Sequence, residues 1–302
     1  LTLWIALSLF SAVFLGLYDI AKKSAVYQNA VPPVLLLNVL TAATLWSIPV
    51  LAAHVVPTHR LSWDAVLAPL AEVTWWHHGL LFCKSLLVGT SWTFAFFALK
   101  HLPISIATPI RATSPLWVLL CAVIWLGERP SLNQWIGISV VLIGFVTFSR
   151  VGKQEGIHFH RDRWITCMLV ATLLGSASSI YDKYLLQTVG MSPAVVQAWF
   201  TIYLVPVMIP LALHWYITQR HSNPFRWRWA IPMIAILLLV ADYAYFVAIT
   251  QEGALISVIS PLRRSSVMVP FVFGILRLKE KNWRAKAPCI VAILVGVGLI
   301  SL

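Results

Sequence analysis

The chain has 302 residues, of which 60% are hydrophobic and 11% charged, and its formal net charge is +12. About a quarter of the residues in a soluble domain are charged, so these proportions, with a mean hydropathy of +0.83, exclude a water-soluble globular protein. The basic excess makes no nucleic-acid surface, because the Lys and Arg residues fall between apolar segments, as cytoplasmic loop charges do.

A bilayer core takes about 20 apolar residues per helix, and ten such stretches follow one another along the chain: 2–21, 33–56, 76–99, 104–126, 132–149, 164–186, 193–217, 230–250, 254–276 and 286–302. The first lacks a basic leader and runs on into Tyr18-Asp19, so it reads as a span and not as a cleavable signal. Val31-Pro32-Pro33 opens the second, and the third carries Lys84. The short connection Lys100-His101-Leu102-Pro103 makes the third and fourth an antiparallel hairpin, and Thr250-Gln251-Glu252-Gly253 does the same for the eighth and ninth. Asp242 lies midway along the eighth, beside Tyr243 and Tyr245. The four cysteines, Cys83, Cys121, Cys167 and Cys289, sit in apolar stretches without a pairing pattern and read as core thiols.

The two halves repeat one another. Tyr18-Asp19 returns as Tyr181-Asp182, 163 positions later, and Thr108-Pro109-Ile110-Arg111 returns as Ser260-Pro261-Leu262-Arg263, 152 positions later. The second spacing also relates Ser105 to Ser257, Ser114 to Ser266, Glu128 to Glu280 and Gly144 to Gly296. The expected fold is an all-α membrane protein of ten transmembrane helices in two five-helix repeats, 1–150 and 164–302, joined by a basic loop at 151–163. Five spans per repeat is an odd number, so the second repeat enters from the opposite side and the two are inverted, the arrangement from which alternating access arises.

Loop charge sets the orientation. One face collects Lys22, Lys23, Lys100, Arg150, Lys153, Arg161, Arg163, Arg220, Arg226, Arg228, Arg277, Lys279, Lys281, Arg284 and Lys286, whereas the other has Arg60 and Arg129. The first face is then cytoplasmic and both termini lie outside.

These residues resemble a known family. Ala98-Leu99-Lys100-His101-Leu102-Pro103-Ile104-Ser105, then Thr108-Pro109, Ser114-Pro115-Leu116 and Leu126-Gly127-Glu128-Arg129-Pro130, are similar to the EamA-type branch of the drug/metabolite transporter superfamily. Gly253-Ala254-Leu255-Ile256-Ser257, Ser260-Pro261 and Leu278-Lys279-Glu280-Lys281 form the counterpart in the second repeat. The resemblance implies ten spans and transport of amino acids, other small metabolites, sugar nucleotides or toxic compounds through a cavity between the halves. It also implies cytoplasmic termini, whereas the loop charge of this chain places both outside.

Charges inside a bilayer are costly unless paired or hydrated, which makes each a candidate for function. Arg111 and Arg263 hold matching places in the fourth and ninth spans, each two residues after a proline that removes a backbone donor and bends or breaks its helix. With Arg264, Lys84, Asp242 and Tyr243 they are the expected substrate-binding set. Asp19 and Asp182 are the expected gating residues, pairing with Arg111 and Arg263 to close opposite mouths of one cavity; locally, Asp19 could instead be satisfied by Lys22 or Lys23. Asp242 reads either as a proton-coupling carboxylate or as a counter-ion to Lys84 or Arg263.

His77-His78 and His158-Phe159-His160 lack accompanying ligands and read as interfacial. No phosphate-binding loop, nucleophile elbow or catalytic Cys-His context is present, so no enzyme, cofactor or metal site is expected. The resulting expectation is a secondary transporter of the bacterial inner membrane, moving a small anionic or zwitterionic solute, amino-acid-like by preference. Its partners are that solute, the lipid bilayer and a coupling proton or sodium ion. The alternatives are an exporter of cationic drugs or amines using Asp242, and a lipid-phosphate-handling membrane protein.

Overall fold

The computed structural model describes residues 3–55, 69–114, 116–118, 131–153, 161–252, 254, 259, 262–277 and 283–300. Cys121, Glu128, His158, His160, Ser257, Ser260, Pro261 and Glu280 lie outside the described residues, as do the loop residues Arg60, Arg129, Lys279 and Lys281. Ten α-helices run through the described residues: α1 Leu3–Val26, α2 Val31–Val55, α3 Trp75–His101, α4 Ile104–Ala112, α5 Leu132–Lys153, α6 Arg163–Lys183, α7 Pro193–Thr218, α8 Ala230–Thr250, α9 Met268–Leu276 and α10 Trp283–Ile300.

Six of them, α1, α2, α3, α6, α7 and α8, are long and apolar enough to cross a membrane. At 1.5 Å per residue, the 24 residues of α1 reach about 36 Å, enough for a hydrocarbon core of about 30 Å. Large apolar side chains cover the outside, with Ile48, Leu51, Val55, Ile217 and Leu276 each about two-thirds or more exposed. A soluble monomer does not tolerate such a surface. The interior reverses the pattern, burying Asp19, Lys22, Lys84, Asp182 and several serines.

Local chemistry starts and stops the helices. Thr74, Asp162 and Ser192 cap α3, α6 and α7 by accepting from the backbone N–H of His77, Trp164 and Val195. The last turn of α6 widens into a π-helical turn, Tyr184–Thr188, and the chain then reverses at Gly190, whose φ of 78° suits a residue without a Cβ. The main helix contacts are α1 with α8, α3 with α6, α2 with α7, α5 with α10 and α3 with α7.

The α5–α10 seam shows how tight this packing is. A Cβ on Gly296 would lie 2.8 Å from the Gly137 carbonyl, whereas one on Gly79 would meet nothing within 4 Å. Gly296→Ala is therefore expected to cost about 1–3 kcal/mol through overpacking. Gly79→Ala, gaining helix propensity at an exposed site of α3, is expected to be neutral or stabilising. Thermal melts of the two variants in detergent distinguish these outcomes.

The sequence-based boundaries differ from the helices most where charge is involved. The first span was expected to end at residue 21, but α1 continues to Val26 and carries Lys22 into the interior, 1% exposed. Lys286, read as a loop charge, is likewise buried within α10. Both lysines have long apolar stems that extend a helix without breaking its buried face. Cys83 is not a core thiol but lies exposed on the outer side of α3.

Candidate functional site

α1, α3, α4, α6, α8 and the helical stretch at 262–264 surround a central cavity of about 100 Å³. Lys22 enters it from α1, Lys84 from α3, Arg111 from the end of α4, Asp182 from α6 and Asp242 from α8, with Arg263 and Arg264 beside them. Seven charged side chains at one void, between helices remote in sequence, are what a solvated polar chamber inside a membrane protein requires.

Helix breaks place the arginines. The backbone N–H of Thr113 and its hydroxyl both turn back to the Ile110 carbonyl, at 3.2 and 2.7 Å, ending α4 two residues after Arg111. The Ser265 hydroxyl bonds the Leu262 carbonyl at 2.6 Å, and a 3-10 turn, Ser265–Val267, follows Arg264. The two devices stand 152 positions apart, from Ile110 to Leu262 and from Thr113 to Ser265. In each, a hydroxyl satisfies a carbonyl left over where regular α-helix stops.

Among the described residues, four ion pairs neutralise most of this charge. Asp19 Oδ1 accepts from Lys22 Nζ at 2.9 Å and from Arg111 Nη1 at 2.6 Å. Lys84 pairs with Asp182, and Arg263 with Asp242. Aromatic rings back three of the cations: Tyr18 lies 4.4 Å from Lys22 Nζ, Phe200 4.7 Å from Lys84 Nζ, and Tyr245 4.1 Å from the Arg263 guanidinium carbon.

Arg264 has no carboxylate partner among the described residues. Its Nη2 donates to the Ser114 hydroxyl at 3.1 Å, that hydroxyl is 2.9 Å from Ser176 Oγ, and Arg264 Nε is buried without an acceptor. Among the described residues, five cations (Lys22, Lys84, Arg111, Arg263 and Arg264) at the cavity thus meet two carboxylates of its lining (Asp182 and Asp242) and a third just behind it (Asp19).

The structure brings the expected residues together, with three differences. Asp182 does not pair with Arg263. The tight α3–α6 contact puts Lys84 within reach of Asp182, while Arg263 lies over Tyr245 and turns to Asp242 on α8. Lys22, read as a loop charge, belongs to the site; its spacing of three from Asp19 and four from Tyr18 places it on their helix face, a signal present in the sequence. Tyr243 lines a separate apolar groove with Trp46, because adjacent residues on a helix point about 100° apart.

Both ends of the bundle are tied. At one end Asn29 bonds the Arg226 backbone twice, at 2.8 Å each, and Lys100 Nζ donates to Asn223 Oδ1 at 3.0 Å. At the opposite end of α3, His78 Nδ1 is 2.8 Å from the Tyr203 hydroxyl, and Trp199 Nε1 donates to the Leu70 carbonyl at 3.3 Å.

The sequence and the fold both match known proteins. The EamA-like transporter family matches residues 2–150. That stretch of the chain belongs to the family. A crystal structure of another protein has a similar fold, with a TM-score of 0.56 at 19% identity, covering 98% of this chain and 95% of that one. The probable 4-amino-4-deoxy-L-arabinose-phosphoundecaprenol flippase subunit ArnE of Pectobacterium atrosepticum is 33% identical over 66 residues. That alignment takes in 22% of this chain and 58% of the relative's length. Six membrane-length apolar helices, with a transporter-family match over residues 2–150, make this a multi-pass membrane protein.

Proposed function

We propose that the chain is a secondary transporter of the bacterial inner membrane, moving a small anionic or zwitterionic metabolite by alternating access. The carrying observation is the unbalanced charge at the central cavity: five cations meet three carboxylates, and Arg264 lacks an acidic partner among the described residues. A buried, unpaired guanidinium is costly on its own and becomes favourable when a carboxylate or phosphate of the solute meets it. The same excess disfavours a cationic drug, and Asp242, the carboxylate such a drug would need, is engaged by Arg263.

Two inverted five-helix repeats, 1–150 and 164–302, provide the moving parts. The helix contacts support this reading, because exchanging each helix for its partner five places on leaves the main contacts unchanged. The α1–α8 contact becomes α6–α3, α3–α7 becomes α8–α2, and α2–α7 and α5–α10 map onto themselves. Ligand pockets usually enclose about 300–1,000 Å³, so a cavity of about 100 Å³ tied at both ends corresponds to an occluded form. Transport would open the Asn29–Arg226 end and the His78–Tyr203 end in turn. Loop charge puts the former in the cytoplasm and the termini outside.

A second reading draws on the apolar groove of about 600 Å³ beside Leu7, Phe10, Trp46 and Tyr243. An amphiphile could place an anionic head at the arginines and its tail in that groove, in keeping with the flippase-subunit name of the ArnE relative.

A thermal-shift screen of purified protein against amino acids, organic acids, phosphorylated metabolites and quaternary amines tests the proposal. A solute at 100 times its Kd stabilises by about 2.7 kcal/mol. The expected result is an anion or zwitterion that raises the wild-type Tm and does so much less in Arg264→Gln and Arg111→Ala. Stabilisation by cations that survives both substitutions would overturn it. Tail-length dependence among anionic amphiphiles would select the second reading.

A further inference from the structure

We propose that the seam between α2, α7 and α8 holds a small monovalent cation, either sodium or the primary ammonium group of the solute, next to Asp242. The inference rests on the transport reading and extends it to a second, oppositely charged pole.

The seam contains a void of about 10 Å³, room for one water-sized particle, lined by Asn38, Gln197, Thr201 and Asp242 together with Trp92 and Phe200. Asn38 and Gln197 are each 1% exposed, and Asn38 Oδ1 and Gln197 Oε1 are buried with no hydrogen-bond donor among the described residues. The Gln197 amide is held in one sense, because its Nε2 donates to the Leu239 carbonyl at 2.7 Å. What this leaves for the void is an acceptor.

The oxygen-bearing side chains stand together among six aliphatic ones, and apolar residues make up most of the wall. Two amide oxygens, a hydroxyl and a carboxylate are the oxygen donors that a hard cation takes. Trp92 and Phe200 also border the void, and aromatic rings are compatible with a cation nearby. Buried acceptors without donors are rare in folded proteins, and two of them converging on one void beside a carboxylate point to a positively charged guest.

Asp242 lines this void and the central cavity alike, and on the cavity side it holds Arg263. A cation in the seam would compete with Arg263 for that carboxylate. Displaced, the guanidinium is free to turn to an anionic group in the central cavity. Cation and anion binding would then reinforce one another, and linkage requires the reinforcement to be reciprocal.

The test compares thermal melts of the purified full chain in sodium chloride, methylammonium chloride and choline chloride at equal concentration, for wild type, Asn38→Leu and Gln197→Met. Both substitutions remove an unpartnered acceptor at similar volume, Gln197→Met also giving up the bond to the Leu239 carbonyl, and a monodisperse size-exclusion peak verifies folding for each. Sodium raising the wild-type Tm by several degrees over choline, with the difference lost in the variants, assigns the seam to a coupling ion. Methylammonium doing so where sodium does not assigns it to the solute's amine. Equal melts in all three salts, or a salt-specific shift that persists in both variants, would overturn the proposal. Either result leaves the anion reading intact, because that one is tested at Arg264 and Arg111.

Discussion

Lys84→Met is expected to destabilise the protein by about 3–5 kcal/mol, and adding Asp182→Asn should recover most of the loss. Both side chains of the pair are buried, 2% and 8% exposed. Removing one member strands the other's charge in a medium that cannot solvate it, which is why broken buried pairs cost this much. Replacing both by neutral groups leaves no stranded charge, and such double replacements often end near the original stability. The pair joins α3 to α6, so it also holds the two proposed repeats together beside the cavity. Thermal melts of the two single variants and the double variant form a complete cycle. A double variant no more stable than Lys84→Met would show that Lys84 acts through packing on Phe200 and Phe246 and not through its charge.

Asp19→Asn is expected to be as damaging, whereas Lys22→Met should cost little. One carboxylate oxygen of Asp19 serves two cations, so neutralising it strands both Lys22 and Arg111. Deleting Lys22 instead leaves a balanced pair, Asp19 with Arg111, and a methionine stem fits the space beside Tyr18 and Phe96. The expected difference between the two variants is at least about 2 kcal/mol, read as Tm or as the surviving monodisperse fraction after heating. Equal, small effects would mean that the three groups are hydrated and the cavity is open to water on that side.

Membrane residence and the helix pattern are legible in the chain alone. Apolar runs of bilayer length, separated by Pro, Gly and basic residues, put α2, α3, α6, α7 and α8 within a few residues of their observed ends. The repeat at 152 positions located Arg111 and Arg263, and the prolines before them signalled the loss of regular helix seen at Thr113 and Ser265. Asp19 reaches Arg111 because Lys23, on the same helix, ties α1 to the α3–α4 hairpin by donating to the Leu99 and Leu102 carbonyls at 2.8 and 2.6 Å.

Sequence by itself determined that this chain lies in a membrane, roughly where its helices run and which residues carry charge into the apolar layer. Those properties follow from transfer energies and local backbone geometry, each a property of a short segment. Partnership was decided only by the tertiary structure. Asp182 chose Lys84 over Arg263, Lys22 moved from loop to cavity, Tyr243 turned to an outer groove, and Asn38 met Gln197 and Asp242 across three helices. A repeat predicts symmetric pairing, but a salt bridge forms where two side chains come within a few ångströms. That distance depends on how α3 packs on α6 and α8 on α1, sums of many side-chain contacts between helices distant in the chain. Lys84 and Asp242 break the symmetry because the third helix carries a base where the eighth carries an acid, at positions that are not equivalent.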